Sequence, residues 1–363
     1  MTTLIDKHLS NKNILEAIQQ CIKSEQYFLG LFICRLNPIE NSQSYNQLTS
    51  IILSKTGQEI VQQPSIQQPS IQQALSTRVQ LLCNWCSSKE LADCWNKMSK
   101  GNYTWNNIKL VWEGDVDYYV IINMPPEDSF FDKKKTIVFR MEPNMSKHPD
   151  FWKEWADPND KEFLKVFRHE KGDYNNNEWH LSSPYSVLSE NKGFYKPHNI
   201  LSTVISDKYK DPGQVKRVDF VKFLEKNSFP IHVYGDNKWN YKNYMGSLPH
   251  HNKNGGLLGY KYTFNAENQT IKNYYTEKLI DGILAECLVF YWGCPNVKDY
   301  IDERAYVQLE LSNFEKDYKT IQKAINEDWH TKRLPYIKEA KKKILNELQF
   351  FPRLEKIING FKN

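Results

Sequence analysis

The apolar positions of this chain fall into short blocks, and their period switches between two and about 3.6 residues. Tyr260, Tyr262 and Phe264 alternate with polar neighbours, which predicts a short strand. A polar loop over 265–273 follows. From Thr276 onward, Leu279, Ile280, Ile283, Leu284 and Cys287 fall at helical spacing. Leu288 to Trp292 form a second apolar run, which Gly293 and Pro295 stop. The segment therefore predicts strand–loop–helix–strand, with Glu277 and Lys278 in the first helical turn. Unpaired N–H groups and the helix dipole make such an end attractive to anions, and an adjacent lysine suits a diphosphate.

The same reading upstream predicts strands at 79–83, 118–122, 136–141, 200–205 and 231–234, and helices at 91–98 and 215–224. Continuous apolar runs such as 118–122 are those buried in parallel sheets, and their alternation with helices predicts an α/β fold. Glu142 stands directly past one strand, and Ser206, Gly235 and the 265–278 loop stand past others. Ligands of open α/β sheets bind at such ends. Residues 145–200 are rich in Trp, Asn and His and lack periodicity, which predicts loops and short helices able to contact an acceptor. From Asn313 the pattern is helical, with Pro335 and Pro352 expected as breaks. Near the start, Ile14, Leu15, Ile18, Ile22 and the stretch 28–33 predict one or two helices. Residues 62–73 repeat a five-residue unit of Gln, Pro, Ser and Ile, which reads as a linker. The expected organisation is a helical extension (1–61), a linker (62–76), a first Rossmann-like domain (77–198), a second (199–345) and a C-terminal helix (346–363).

Composition narrows the function. The 363 residues are 40% hydrophobic and 13% aromatic, enough for a sizeable core. A net charge of +5 without dense basic blocks argues against nucleic acid and fits a mildly basic groove. Of seven cysteines only Cys83 and Cys86 are closely spaced, and no second pair completes a zinc site. The thiols read as core and turn residues of a reducing compartment. With no secretory leader pattern and no apolar run near ~20 residues, a soluble, cytoplasmic chain without a membrane span is expected. His232, His250, His251 and the Asp115-Val-Asp117 triplet do not assemble a metal motif at a strand end, so no metal is expected. Gly255, Gly256 and Gly259 lack the spacing of a dinucleotide fingerprint and read as a turn or a close approach.

Three elements in register carry a resemblance: Ala266-Glu-Asn268, Tyr274-Tyr-Thr-Glu-Lys278 and Tyr291-Trp-Gly-Cys-Pro295. With Lys216-Arg-Val-Asp-Phe220, Val233-Tyr-Gly-Asp236 and Val138-Phe-Arg-Met-Glu142, they resemble glycosyltransferase family 10, the α-1,3/1,4-fucosyltransferases, over roughly 78–345. The sequence departs from the family's usual pattern at Asp207, Gln269 and Met141. The resemblance implies a GT-B fold, two Rossmann-like domains facing a cleft, with the acceptor on the first and the sugar nucleotide on the second. It implies inverting transfer of fucose or a related deoxysugar from a GDP-sugar to a glycan hydroxyl, with no further cofactor. Glu142 is then the expected base. Arg217 and Lys278 are the expected diphosphate cations, and Ser206, Tyr234, Gly235, Glu267, Asn268, Tyr274 and Glu277 the remaining donor contacts. Two alternatives stay open: the same machinery with another nucleotide sugar, and a catalytically silent glycan-binding protein.

Overall fold

The structure, a computed structural model, describes residues 11–23, 43–56, 76–142, 152–172, 178–190 and 192–362. The chain divides into two units, 1–72 and 73–363. In the first, helices α1 (Asn11–Lys23) and α2 (Gln43–Thr56) pack together, with Ile18 and Ile52 fully buried. The expected positions 14, 15, 18 and 22 fall in α1. The stretch 28–33 and the repeat 62–73 lie outside the described residues.

The second unit holds two six-stranded sheets. The first contains β1 (Thr77–Leu82), β2 (Thr104–Trp105), β3 (Ile108–Val111), β4 (Tyr118–Ile122), β5 (Thr136–Phe139) and β6 (Lys165–Phe167). Their spatial order is β2-β3-β1-β4-β5-β6, parallel except for the β2–β3 pair. Helix α3 (Ser88–Asn96) follows β1 and opens with a reciprocal Ser87–Glu90 capping box. The short helix α4 (Tyr185–Leu188) lies in the segment leading to the second sheet.

That sheet alternates with helices as β7 (His198–Ile205), α5 (Pro212–Lys226), β8 (Ile231–Gly235), β9 (Tyr244–Gly246), α6 (Asn254–Leu257), β10 (Tyr260–Ala266), α7 (Glu277–Leu284), β11 (Leu288–Trp292) and β12 (Tyr306–Gln308). The order β12-β11-β10-β7-β8-β9 is wholly parallel. Strand β11 is buried at every position, as a central parallel strand must be. Strand β10 alternates in sequence but is buried on both faces, because Thr263 and Asn265 are covered too. Helices α8 (Phe314–Asn326), α9 (Trp329–Lys343) and α10 (Phe350–Lys362) complete the unit. Two parallel Rossmann-like sheets with C-terminal helices are the GT-B type of α/β fold.

Some expectations need correction. Residues 145–200 are not only loops and short helices: Val166 and Phe167 are buried as β6 adds to the sheet edge. Pro335 does not break the chain's helix but lies inside α9. Burial of His330, Ile337 and Ala340 along that helix holds it despite the missing N–H. Pro352 sits in the first turn of α10, where a backbone N–H has no helical partner in any case.

Helix α10 packs on the first sheet rather than on the second. Phe350 meets Trp95 at 4.7 Å and Phe139 at 6.5 Å between ring centroids, and Phe351 stacks on Trp105 at 6.0 Å. Among the described residues no helix is long and apolar enough to cross a membrane.

Candidate active site

The carboxyl ends of β7, β8 and β10 converge. Gly235 closes β8 at φ +103°, and a Cβ there would overlap the carbonyl of Ile205. The Asp236 N–H donates to that same carbonyl at 3.0 Å. Helix α5 begins with an Asp211–Gln214 capping box and Pro212 at its first position. In its first turn Gly213 has no room for a side chain: a Cβ would overlap the Glu267 carbonyl oxygen. Its N–H donates to the Asn268 carbonyl at 3.0 Å, so the helix start is pinned to the loop after β10.

This contact delivers Arg217, one turn along α5 and buried. Its guanidinium donates to Ser206 Oγ at 2.7 Å and to Asn268 Oδ1 at 3.3 Å. Its buried Nε has no hydrogen-bond partner among the described residues. Burial lowers the Arg217 pKa, and Glu277 and Glu267 oppose that shift.

Glu267, fully buried, accepts from the Thr276 N–H and hydroxyl, both at 2.7 Å, and from the Tyr291 hydroxyl at 3.2 Å. Burial pushes its carboxyl up against the opposing Lys278 charge. Thr276 caps α7 and fixes Lys278, whose Nζ lies 3.1 Å from Glu277 and 3.6 Å from Glu267. Burial would discharge Lys278, but these two carboxylates raise its pKa. Glu277 is also desolvated, yet Lys278, Lys253 and His180 hold it well below the usual carboxylate range. Tyr274 is 1% exposed and its hydroxyl has no partner among the described residues. A buried, unsatisfied hydroxyl costs on the order of 1–3 kcal/mol, which makes it a natural ligand contact.

Glu142 reaches this site from the first sheet. After β5 the chain runs through Arg140 and Met141, and the Glu142 N–H donates to Asn123 Oδ1 at 3.0 Å. His169, following β6, joins the two sheets beside it. One ring nitrogen lies 2.9 Å from the Met141 carbonyl and the other 3.0 Å from the Asn273 carbonyl. The Asn273 side-chain amide donates back to the His169 carbonyl at 2.9 Å. Burial lowers the His169 pKa, and a neutral ring donates to only one of the two carbonyls. Glu142 is half-buried and lines a cavity of ≈ 390 Å³ with Arg140, Arg168 and Glu170. Burial raises its pKa most, Glu277 adds to the rise, and Lys278, Lys208 and Arg140 oppose it. The charges of Glu142, Glu277 and Lys278 thus act on one another across the two sheets.

Arg217, Ser206, Glu267, Asn268, Tyr274, Glu277 and Lys278 therefore fall together, with Gly235 shaping one strand end. Tyr234 lies elsewhere: its hydroxyl is 2.8 Å from that of Tyr260, which also meets His232. Gly256 packs a short helix against Val204 and Tyr234, where a Cβ would be too close to both. Sequence reasoning missed Gly213, His169, His180, Lys253 and Asp281. Gly213 had a signal, as a glycine directly behind a helix-starting proline. The others had none, since only tertiary packing brings them in.

The α-(1,3)-fucosyltransferase FucT of Helicobacter pylori is 30% identical over 119 residues, which is 31% of this chain and 24% of that protein. The chain resembles the α-1,3-fucosyltransferases of glycosyltransferase family 10. The matched region spans about a quarter of that fucosyltransferase's length. No family model matches the chain. Among solved structures, an α1,3-fucosyltransferase with GDP is 18% identical, with 77% of this chain and 91% of that one covered at a TM-score of 0.48. An α-glucosyltransferase with UDP and a 13-mer DNA is 11% identical, with 78% and 98% covered at 0.49.

Proposed function

We propose that this protein is an inverting glycosyltransferase that moves fucose, or a related deoxysugar, from a GDP-sugar to a glycan hydroxyl. The observation that carries the reading is the seam between the sheets: His169 links the Met141 carbonyl, next to Glu142, to the Asn273 carbonyl of the donor loop, while Lys278 and Arg217 face Glu267 and Asn268 at the other end of that loop. Arg217 and Lys278 flank the consecutive residues Glu267 and Asn268, so one diphosphate can meet a guanidinium fork and an ammonium together.

In this reading Glu142 takes the proton of the acceptor hydroxyl, whose oxygen attacks the anomeric carbon. The bond from that carbon to the diphosphate oxygen breaks, and its electron pair leaves with the phosphate. The developing negative charge falls where Arg217 and Lys278 already stand, and stabilisation of that kind acts most in the transition state. The raised Glu142 pKa matches a base better than an ordinary surface carboxylate. Tyr274 offers its unsatisfied hydroxyl, and Glu267 and Asn268 hold the loop.

Equilibrium binding to GDP, GDP-fucose and a panel of UDP-sugars tests the donor. Binding of GDP and GDP-fucose, but not UDP-sugars, is expected, and the reverse preference would assign another nucleotide sugar. Nuclear magnetic resonance of the glycoside formed decides the stereochemistry: an anomeric configuration opposite to the donor's is expected, and retention would remove Glu142 as the base. Nucleotide and glycan binding without any turnover would leave a silent binding protein.

A further inference from the structure

The donor cluster contains a charge conflict that its known residues do not resolve. Lys278 faces two carboxylates, Glu277 and Glu267. A diphosphate drawing on that ammonium leaves both carboxylates short of counter-charge inside a buried site, which is costly. Glu267 retains three hydrogen bonds from Thr276 and Tyr291. Glu277 has a different second partner: Lys253 Nζ lies 3.4 Å from Oε1, the same oxygen that faces Lys278.

Lys253 is held there by a closed ring of contacts. Its Nζ pairs with Asp281 Oδ2 at 2.9 Å, and its backbone N–H donates to the His180 carbonyl at 2.9 Å. The His180 N–H in turn donates to Asp281 Oδ1 at 2.7 Å. Asp281 is 1% exposed, so the anchoring carboxylate itself is buried. Beyond it the His180 ring meets Glu178 at 3.3 Å, and Glu178 accepts from Trp95 Nε1 of the first lobe at 3.0 Å. Burial would strip the proton from Lys253, but Asp281 and Glu277 keep it charged.

We propose that Lys253 is a positioning residue for the donor diphosphate: it takes over Glu277, so that Lys278 is free to turn to the phosphate oxygens. This rests on the donor reading given above. Without Lys253, GDP and an ionised Glu277 compete for one ammonium.

Titration calorimetry of GDP into the full chain, for wild type, Lys253→Met and Lys253→Arg at neutral pH, tests this. Lys253→Met is expected to weaken GDP roughly ten- to a hundredfold at neutral pH. Lys253→Arg should recover most of the affinity. An unchanged Kd in Lys253→Met overturns the proposal. So does a loss that arginine does not rescue, since that is a purely structural effect. If wild type binds no GDP, the donor reading itself fails and this inference falls with it. Should Lys253→Met not fold, as judged by thermal unfolding, Lys253→Gln carries the same measurement.

Discussion

A single carboxylate and a single hydroxyl give the sharpest tests at the scale of residues. Glu142→Gln keeps the shape of the side chain and removes the proposed base. Turnover should drop by on the order of 10²–10⁴, with GDP affinity within about twofold of wild type by calorimetry. Because burial lifts the Glu142 carboxyl, and the base works only when ionised, kcat/KM should fall toward acid pH through an apparent pKa above the ordinary carboxylate range. Tyr274→Phe should act in opposite directions on two readouts. It removes a buried hydroxyl without a partner, so Tm should hold or rise, while GDP-sugar affinity should weaken by ~0.5–1.5 kcal/mol. Glu277 and Lys278 are legible in the sequence because apolar spacing places them at a helix start, whereas Arg217, inside a helix, is legible only through the family resemblance. Lys253 and His180 are not legible, since their roles come from contacts across 24 and 101 residues. Tyr234 shows the limit of the strand-end argument: in a strand, successive side chains point to opposite faces, and the tip of this one meets Tyr260.

Among elements, the start of α5 governs the site. Gly213 lets the helix rest on the Glu267–Asn268 backbone, and Arg217 rides on that seat. Gly213→Ala must push the two apart, costing ~1–3 kcal/mol of stability in chemical denaturation and lowering GDP affinity through the displaced Arg217. A stability loss without a change in GDP binding would detach the seat from the site. The four inner strands of the second sheet, β7, β8, β10 and β11, are legible from their long apolar or alternating runs, whereas its three-residue edge strands β9 and β12 are not. Strands β2, β3 and β6 are not legible either, being only two to four residues long and completed by their neighbours. Pro335 misled for the opposite reason, since packing along α9 overrides a local breaker.

For the whole molecule, the two-sheet plan followed from the alternation of apolar runs and helices, but the destination of the last helix did not. Nothing in residues 350–362 says which sheet they cover. Phe350, fully buried between Trp95 and Phe139, makes that choice measurable. Phe350→Ala should cost ~3–5 kcal/mol and lower Tm, and the spectroscopic change should appear in the tryptophans of the first lobe. Loss confined to the second lobe would contradict the packing. The same contact bears on biosynthesis. The strands of the first lobe are made before the whole second sheet, while the helix that covers Trp95 and Phe139 is made after it. The nascent first lobe therefore keeps an aromatic surface uncovered until that helix has been made, an interval in which exposed apolar surface favours aggregation.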